Sequence, residues 1–342
     1  MPIAELIGIT GTSSYFPKRK VSVEELLRKA GSNLDRDALD PGVSHIHIAE
    51  PNEDSFSMAA KAAKAAIDDA KLDEDVIGLV IYCDGVSQTR YERTYSHELI
   101  KRLKTQNAYG FDVEGGFIVS LMAIQIAKDL LVNSVNLQHA IVVSAHKFEE
   151  SAYYKGEKSR LASGIFGDGA AAVVLSKNSK HNLILATSFV MDHYTDLTDE
   201  LINRELSWIK STSPFKKSLL KFPLPKKMYF NKLLSQLASR AAENSHRAIN
   251  FALLSVNLGI RDVDLFIKSR IVLKETAQLL NKLDLTKSSI YNASSEKGNL
   301  GHADTLSNIH LALKNAEIVD LDIILVVASS YDCSAGALVL RR

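Results

Sequence analysis

Four uninterrupted apolar runs limit what this chain can fold into. VIGLVIYC (76–83), HAIVVSA (139–145), GDGAAAVVL (167–175) and DIILVVASS (322–330) lack the polar-apolar alternation of a strand with one wet face. Strands of this kind must be covered on both sides, which is the situation of central strands in α/β proteins. Helical stretches lie between the runs, among them SMAAKAAKAAIDDAKL (57–72), 94–104 and 117–132. The alternation predicts an α/β chain whose sheets carry helices on both faces.

A weak internal repeat divides the chain. KAAIDDAKLDEDVIGLVIY (64–82) echoes HRAINFALLSVNLGIRDVDLFIK (246–268), each a helix, a short acidic loop and an apolar strand. AIVVSAHK with the later GDGAAAVVL echoes DIILVVASS with the later SAGALVL. The repeat predicts two similar halves, 1–178 and 179–342, joined near 176–190. An irregular, lysine-rich segment at 190–230 carries Trp208, and Pro223 and Pro225 argue against one continuous helix there. Lys216, Lys217, Lys221, Lys226 and Lys227 beside aromatics read either as a weak site for a phosphate or a carrier protein, or as a solvated surface.

Composition removes several functional classes. A formal net charge of +1 over 342 residues gives no overall attraction to nucleic acid. Cys83 and Cys333 stand alone, without CxxC or a histidine-rich partner, so neither a disulfide framework nor a zinc or other metal site is expected. The opening MPIAELIGITGTSS lacks the layout of a signal peptide, and no apolar run is long enough to cross a bilayer. The expectation is a cytoplasmic protein that engages neither membrane nor nucleic acid and holds no bound cofactor.

FDVEGGFIVSLMAIQIA (111–127) runs from a strand end through two glycines into a long apolar helix. Together with ITGTSSYFPKRKVSVEEL, FGDGAAAVVL (166–175), DVDLFI, the Gly298-Asn299 pair and the closing GALVLRR, it resembles β-ketoacyl-acyl-carrier-protein synthase III of the thiolase superfamily. The resemblance covers almost the whole chain. It implies a five-layered αβαβα sandwich of two similar halves that normally dimerises. In that family a cysteine at the N-terminus of a buried helix takes the acyl group, because the helix dipole and peptide N–H groups favour thiolate. A histidine and an asparagine assist.

Aligned without a gap, Phe117 occupies the cysteine position; a gapped alternative brings Glu114 or Gly115 there. The family's F-I-P-H-Q reads Phe266-Ile267-Lys268-Ser269-Arg270, so Ser269 replaces the histidine, while Asn299 matches the asparagine. The glycine-rich loop that supplies an oxyanion-hole amide in the family reads ASSYDCSAG. The resemblance therefore implies a subunit without condensing activity of its own. It would pair, as a homodimer or with an active thiolase or ketosynthase relative, together with an acyl carrier protein or a small OB-fold protein. Coenzyme A or phosphopantetheine thioesters would be its ligands, in a specialised acylation or polyketide-like step. Two alternatives remain open at this point. One is an acyltransferase, hydrolase or 3-oxoacyl synthase using Glu114, Cys333 or a Ser269–His302–Asp304 relay, with Cys83 as a packed thiol. The other is an acyl-CoA or carrier-protein binding module.

Overall fold

The computed structural model describes residues 6–30, 42–84, 94–148, 165–191, 227–269, 273–286, 290–291, 296–315, 318–330 and 332–342. The first half contains β1 (Ile7–Tyr15), β2 (Arg19–Ser22), α1 (Val23–Ala30), β3 (His45–Ile48), α2 (Ser55–Asp69), β4 (Ile77–Asp84), α3 (Tyr95–Leu103), β5 (Tyr109–Glu114), α4 (Val119–Asn133), β6 (His139–His146) and β7 (Gly169–Lys177). The second contains β8 (Leu183–Val190), α5 (Lys227–Leu254), β9 (Leu265–Lys268), α6 (Leu273–Leu283), β10 (Ile290–Tyr291), α7 (Asp304–Asn315), β11 (Ile323–Ser329) and β12 (Ala335–Arg341). No helix among the described residues is long and apolar enough to cross a membrane.

Among the described residues the large sheet runs β10-β9-β11-β12-β8-β1-β7-β6-β4-β5. Outward from β1 come β7, β6, β4 and β5; outward from β8 come β12, β11, β9 and β10. Each half thus places its first strand beside its last, in the same order and with the same strand senses. β1–β7–β6 and β8–β12–β11 pair antiparallel, while the β4 and β9 neighbours pair parallel. Among the described residues the two five-stranded sets pair at Gly8 and Leu183, where the Ile9 amide donates to the Asn182 carbonyl and the Asn182 side chain donates to the Ile9 carbonyl, each at 3.0 Å.

The layering follows from the period-2 geometry of strands. Leu79, Ile81 and Cys83 of β4 and Ile324, Val326 and Ala328 of β11 point into one shared core around α4 and α7. Their neighbours Val80 and Tyr82 face α2 and α3 in a second core, and Leu325 and Val327 face α5 and α6 in a third. The result is helix, sheet, helix, sheet, helix: the thiolase-like sandwich, with α4 and α7 as its middle layer.

Two local expectations need correction. The helix read at 117–132 starts at Val119, because Gly115 and Gly116 are poor helix formers and leave Phe117 in the preceding turn. The irregular segment read at 190–230 ends earlier, since α5 begins at Lys227. A proline obstructs helix on its own N-terminal side, so Pro225 does not prevent a helix from starting just after it. The stretch 192–226, with Trp208, Lys216, Lys217, Lys221 and Lys226, lies outside the described residues, as does the side chain of Lys227.

Alanines at 59, 62, 63 and 66 let α2 lie close on β1 and β7. At Gly11 of β1 an added Cβ would lie 2.6 Å from the Cβ of Ala70 and against the Ala66 carbonyl. Gly11→Val is therefore expected to destabilise the fold by about 2 kcal/mol through overpacking, read as a lower urea midpoint at unchanged slope.

Candidate functional site

The middle-layer helices begin next to one another. Phe117 lies in the turn that enters α4, just before the capping residue Ile118, and the short 3-10 turn Gly301–Ala303 leads into α7. The His302 ring stacks on Phe117 with centroids 4.7 Å apart and planes 12° from parallel. Phe166 lies 6.4 Å from Phe117 and 5.5 Å from Phe148, while His146, at the end of β6, lies 5.7 Å from Phe166. Gly301 adopts φ +57°, and a Cβ there would sit 2.5 Å from Nδ1 of His146, so only glycine lets the turn cross that ring. Five ring side chains thus line the entry to α4.

The backbone amide of Phe117 donates to Oγ of Ser330 at 3.3 Å. Ser330 belongs to the ASSYDCSAG loop, so a side-chain oxygen occupies the amide at the mouth of the central helix. Next to it lies a fully buried ion pair. Nζ of Lys268 pairs with the Glu275 carboxylate at 3.1 Å and donates to Oγ of Ser329 and to the Ser269 carbonyl, each at 2.9 Å. Glu275 accepts further hydrogen bonds from Ser245 and Ser329. A buried charge is tolerated only when paired and bonded in this way.

Ser269 forms part of a second buried network. Its hydroxyl meets Thr305 at 2.9 Å and accepts from Asn308 at 3.4 Å; Asn308 also donates to Asp304, which pairs with Lys297. The Ser269–His302–Asp304 relay drawn from the sequence is therefore not assembled. Asp304 is turned to Lys297 and Asn308 at the start of α7, and His302 lies against Phe117 with Nδ1 3.6 Å from the Asp84 carboxylate.

The other sequence candidates scatter. Glu114 is exposed at the end of β5. Cys333 is buried at φ +60°, with its sulfur 3.9 Å from the Leu237 carbonyl of α5, on the outer side of the second sheet. Burial pushes the Cys83 thiol up to about 12, the opposite of an activated nucleophile. Asn299 is held by its backbone to Ile165 and Gly167, and its carboxamide oxygen accepts the Gly301 amide at 2.7 Å. Asp168 of the FGDGA turn accepts from the Ala49 and Phe148 amides, a structural role that ties β3 to the end of β6. Among the described residues, no three His, Cys, Asp or Glu side chains are grouped to hold a metal.

Sequence reasoning missed His146, Asp84, Ser330 and the Lys268–Glu275 pair. The available signals were a lysine inside the apolar run LFIK and a histidine closing the strand HAIVVSA.

Burial holds His146 down to about 4 and His302 down to about 3, with each other's company adding to the shift of His302. Both folded values lie below the ordinary 6.5. The unfolded chain therefore protonates first, and stability falls as pH drops below 6.5, by about 1.4 kcal/mol per pH unit for each histidine until its folded value is reached. Urea unfolding between pH 7 and 5 should show this slope, and His146→Asn should reduce it by one proton. A second expected outcome concerns the buried ion pair. Lys268→Met strands Glu275 and should cost about 3–5 kcal/mol, whereas Lys268→Met with Glu275→Leu should recover most of that loss in the same unfolding measurement.

Residues 111–193 match the family model of 3-oxoacyl-[acyl-carrier-protein (ACP)] synthase III. Over 336 residues the chain is 24% identical to a β-ketoacyl-[acyl-carrier-protein] synthase III of Wolbachia pipientis wMel, covering 97% of this chain and 98% of that one. The fold superimposes on the 3-oxoacyl-[acyl-carrier-protein] synthase III of Aquifex aeolicus VF5 with a TM-score of 0.73 at 23% identity, over 98% of this chain and 100% of the other. It superimposes on the priming β-ketosynthase of the R1128 polyketide pathway with a TM-score of 0.78 at 19% identity, over 100% and 97% of the two chains. The matched segment spans β5, the turn of Phe117 and α4, the elements that build the site, and the full-length likeness extends over both halves of the sandwich. Along almost its whole length this chain is similar to β-ketoacyl-[acyl-carrier-protein] synthase III proteins, and it shares their thiolase-like fold.

Proposed function

We propose that the chain is a ketosynthase III-like subunit that does not condense acyl groups through the standard site, and that it pairs with an active thiolase or ketosynthase relative in an acyltransferase or condensing complex. The observation that carries this reading is at the mouth of α4. Phe117 stands where the family resemblance places the nucleophile, and its amide is already taken by Ser330. Phenylalanine forms no thioester, and an amide bonded to a neutral hydroxyl is not free to stabilise an oxyanion. Ser269, at the position of the assisting histidine, is held by Thr305 and Asn308 in a buried network. Neither cysteine offers a substitute, since Cys83 is buried with a raised pKa and Cys333 faces α5.

The large interface typical of the family would let such a subunit shape its partner's acyl site. Its ligands would be acyl thioesters of coenzyme A or of a carrier protein's phosphopantetheine. Incubating the purified chain with short acyl-CoA thioesters, beside an active synthase, tests the reading by intact mass. The active enzyme should gain one acyl group and this chain none. A stable adduct, or condensation by the isolated chain, would refute it.

A further inference from the structure

His302 and Asp84 are not among the residues that the family resemblance brings to the site, yet the fold sets them beside its centre. His302 arrives on the turn before α7, and Asp84 closes β4. Nδ1 of His302 is buried without a hydrogen-bond partner and lies 3.6 Å from Oδ1 of Asp84, just beyond bonding distance. The ring rests against Phe117 at the N-terminal end of α4. A second imidazole, His146, has a buried Nε2 with no partner and stands 6.2 Å from His302. Buried polar atoms are nearly always bonded, so two orphaned imidazole nitrogens side by side mark a place built for more than packing.

We propose that His302, oriented by Asp84, is a general base that hydrolyses short acyl thioesters beside Phe117. The inference rests on the acyl-thioester ligand named above and assigns that site a reaction that needs no protein nucleophile. A small closure brings the Asp84 carboxylate onto Nδ1–H, as catalytic hydrogen bonds often tighten only when substrate is bound. That contact fixes the tautomer and leaves the Nε2 lone pair for water. Nε2 takes a proton from water as the water oxygen bonds to the thioester carbon, and the carbonyl electrons move to oxygen. The tetrahedral intermediate then collapses and the carbon–sulfur bond breaks. The departing thiolate recovers the proton from His302, giving a carboxylic acid and a free thiol. The positive end of the α4 dipole favours the negative charge that develops in between. Burial leaves His302 uncharged at neutral pH, and the Asp84 carboxylate drawn onto Nδ1–H raises the basicity that burial lowers.

The full-length chain, with acetyl-CoA and butyryl-CoA as probes, provides the test. Free thiol release is followed with a chromogenic disulfide, and binding of the same thioesters by calorimetry. Turnover is expected, with kcat lowered about 10²-fold or more in His302→Ala and KM little changed, which is the usual scale for losing a general base. Added imidazole should restore part of the His302→Ala rate, an effect no structural role would produce. Asp84→Asn should lower kcat as well, whereas Cys333→Ser should leave it unchanged. Binding without turnover would overturn the hydrolysis and leave the non-condensing subunit standing. An acyl adduct on the protein would overturn both, and so would the absence of binding by either thioester.

Discussion

The architecture depends on one constraint: α4 and α7 are each covered by a sheet on both sides. Their apolar residues, including Leu121, Ile124, Leu306 and Ile309, pack with inward-facing residues from both five-stranded sets. Among the described residues the two sheets touch through a short bridge at Gly8 and Leu183, and the common core around these helices joins the halves. Burial on all sides also fixes where each helix begins, and the N-terminal turns of the two helices meet in the middle of the molecule. A duplicated fold thereby gains a single site, built from residues about 180 positions apart in sequence such as Phe117 and His302.

That site is unusual for its polar content. Polar groups this deep are costly unless every donor and acceptor is answered. Lys268 and Glu275 meet the requirement almost completely, and the Lys297–Asp304–Asn308–Ser269–Thr305 chain meets it apart from the Asn308 carbonyl oxygen. Both networks sit at the ends of β9 and β11 and at the start of α7, where they hold Ser269 and the Ser329–Ser330 turn in place. The aromatic side of the site differs: His302 stacks on Phe117 and His146 on Phe148, and each leaves a nitrogen without a partner. One part of the site is locked by satisfied charge, and the other retains unused hydrogen-bonding capacity.

Much of the fold was legible because it depends on short-range patterns. Continuous apolar runs marked the central strands, and alanine spacing marked α2. The echo between 64–82 and 246–268 corresponds to the α2–β4 and α5–β9 units, which hold equivalent places in the two sets of strands. Boundaries were less legible. Phe117 read as the first helical residue, but two glycines before it leave the helix to start at Val119. The relay of Ser269, His302 and Asp304 failed for a related reason. Nearness in sequence put His302 and Asp304 together, whereas the turn into α7 sends one toward Asp84 and the other toward Lys297.

By itself the sequence determined the layer composition, because an apolar strand without alternation has to be buried on both faces. It also determined which residue types stand at positions 117 and 269, and hence that a thiolate at the first and an imidazole at the second are absent. The tertiary structure decided what occupies their place. Ser330 on the amide of Phe117, Glu275 on Lys268 and Asp84 beside His302 are contacts between distant segments whose partners carry no shared local pattern. Such pairings arise when separate strands and helices end at one point in space, and only the packing of the two halves fixes that point.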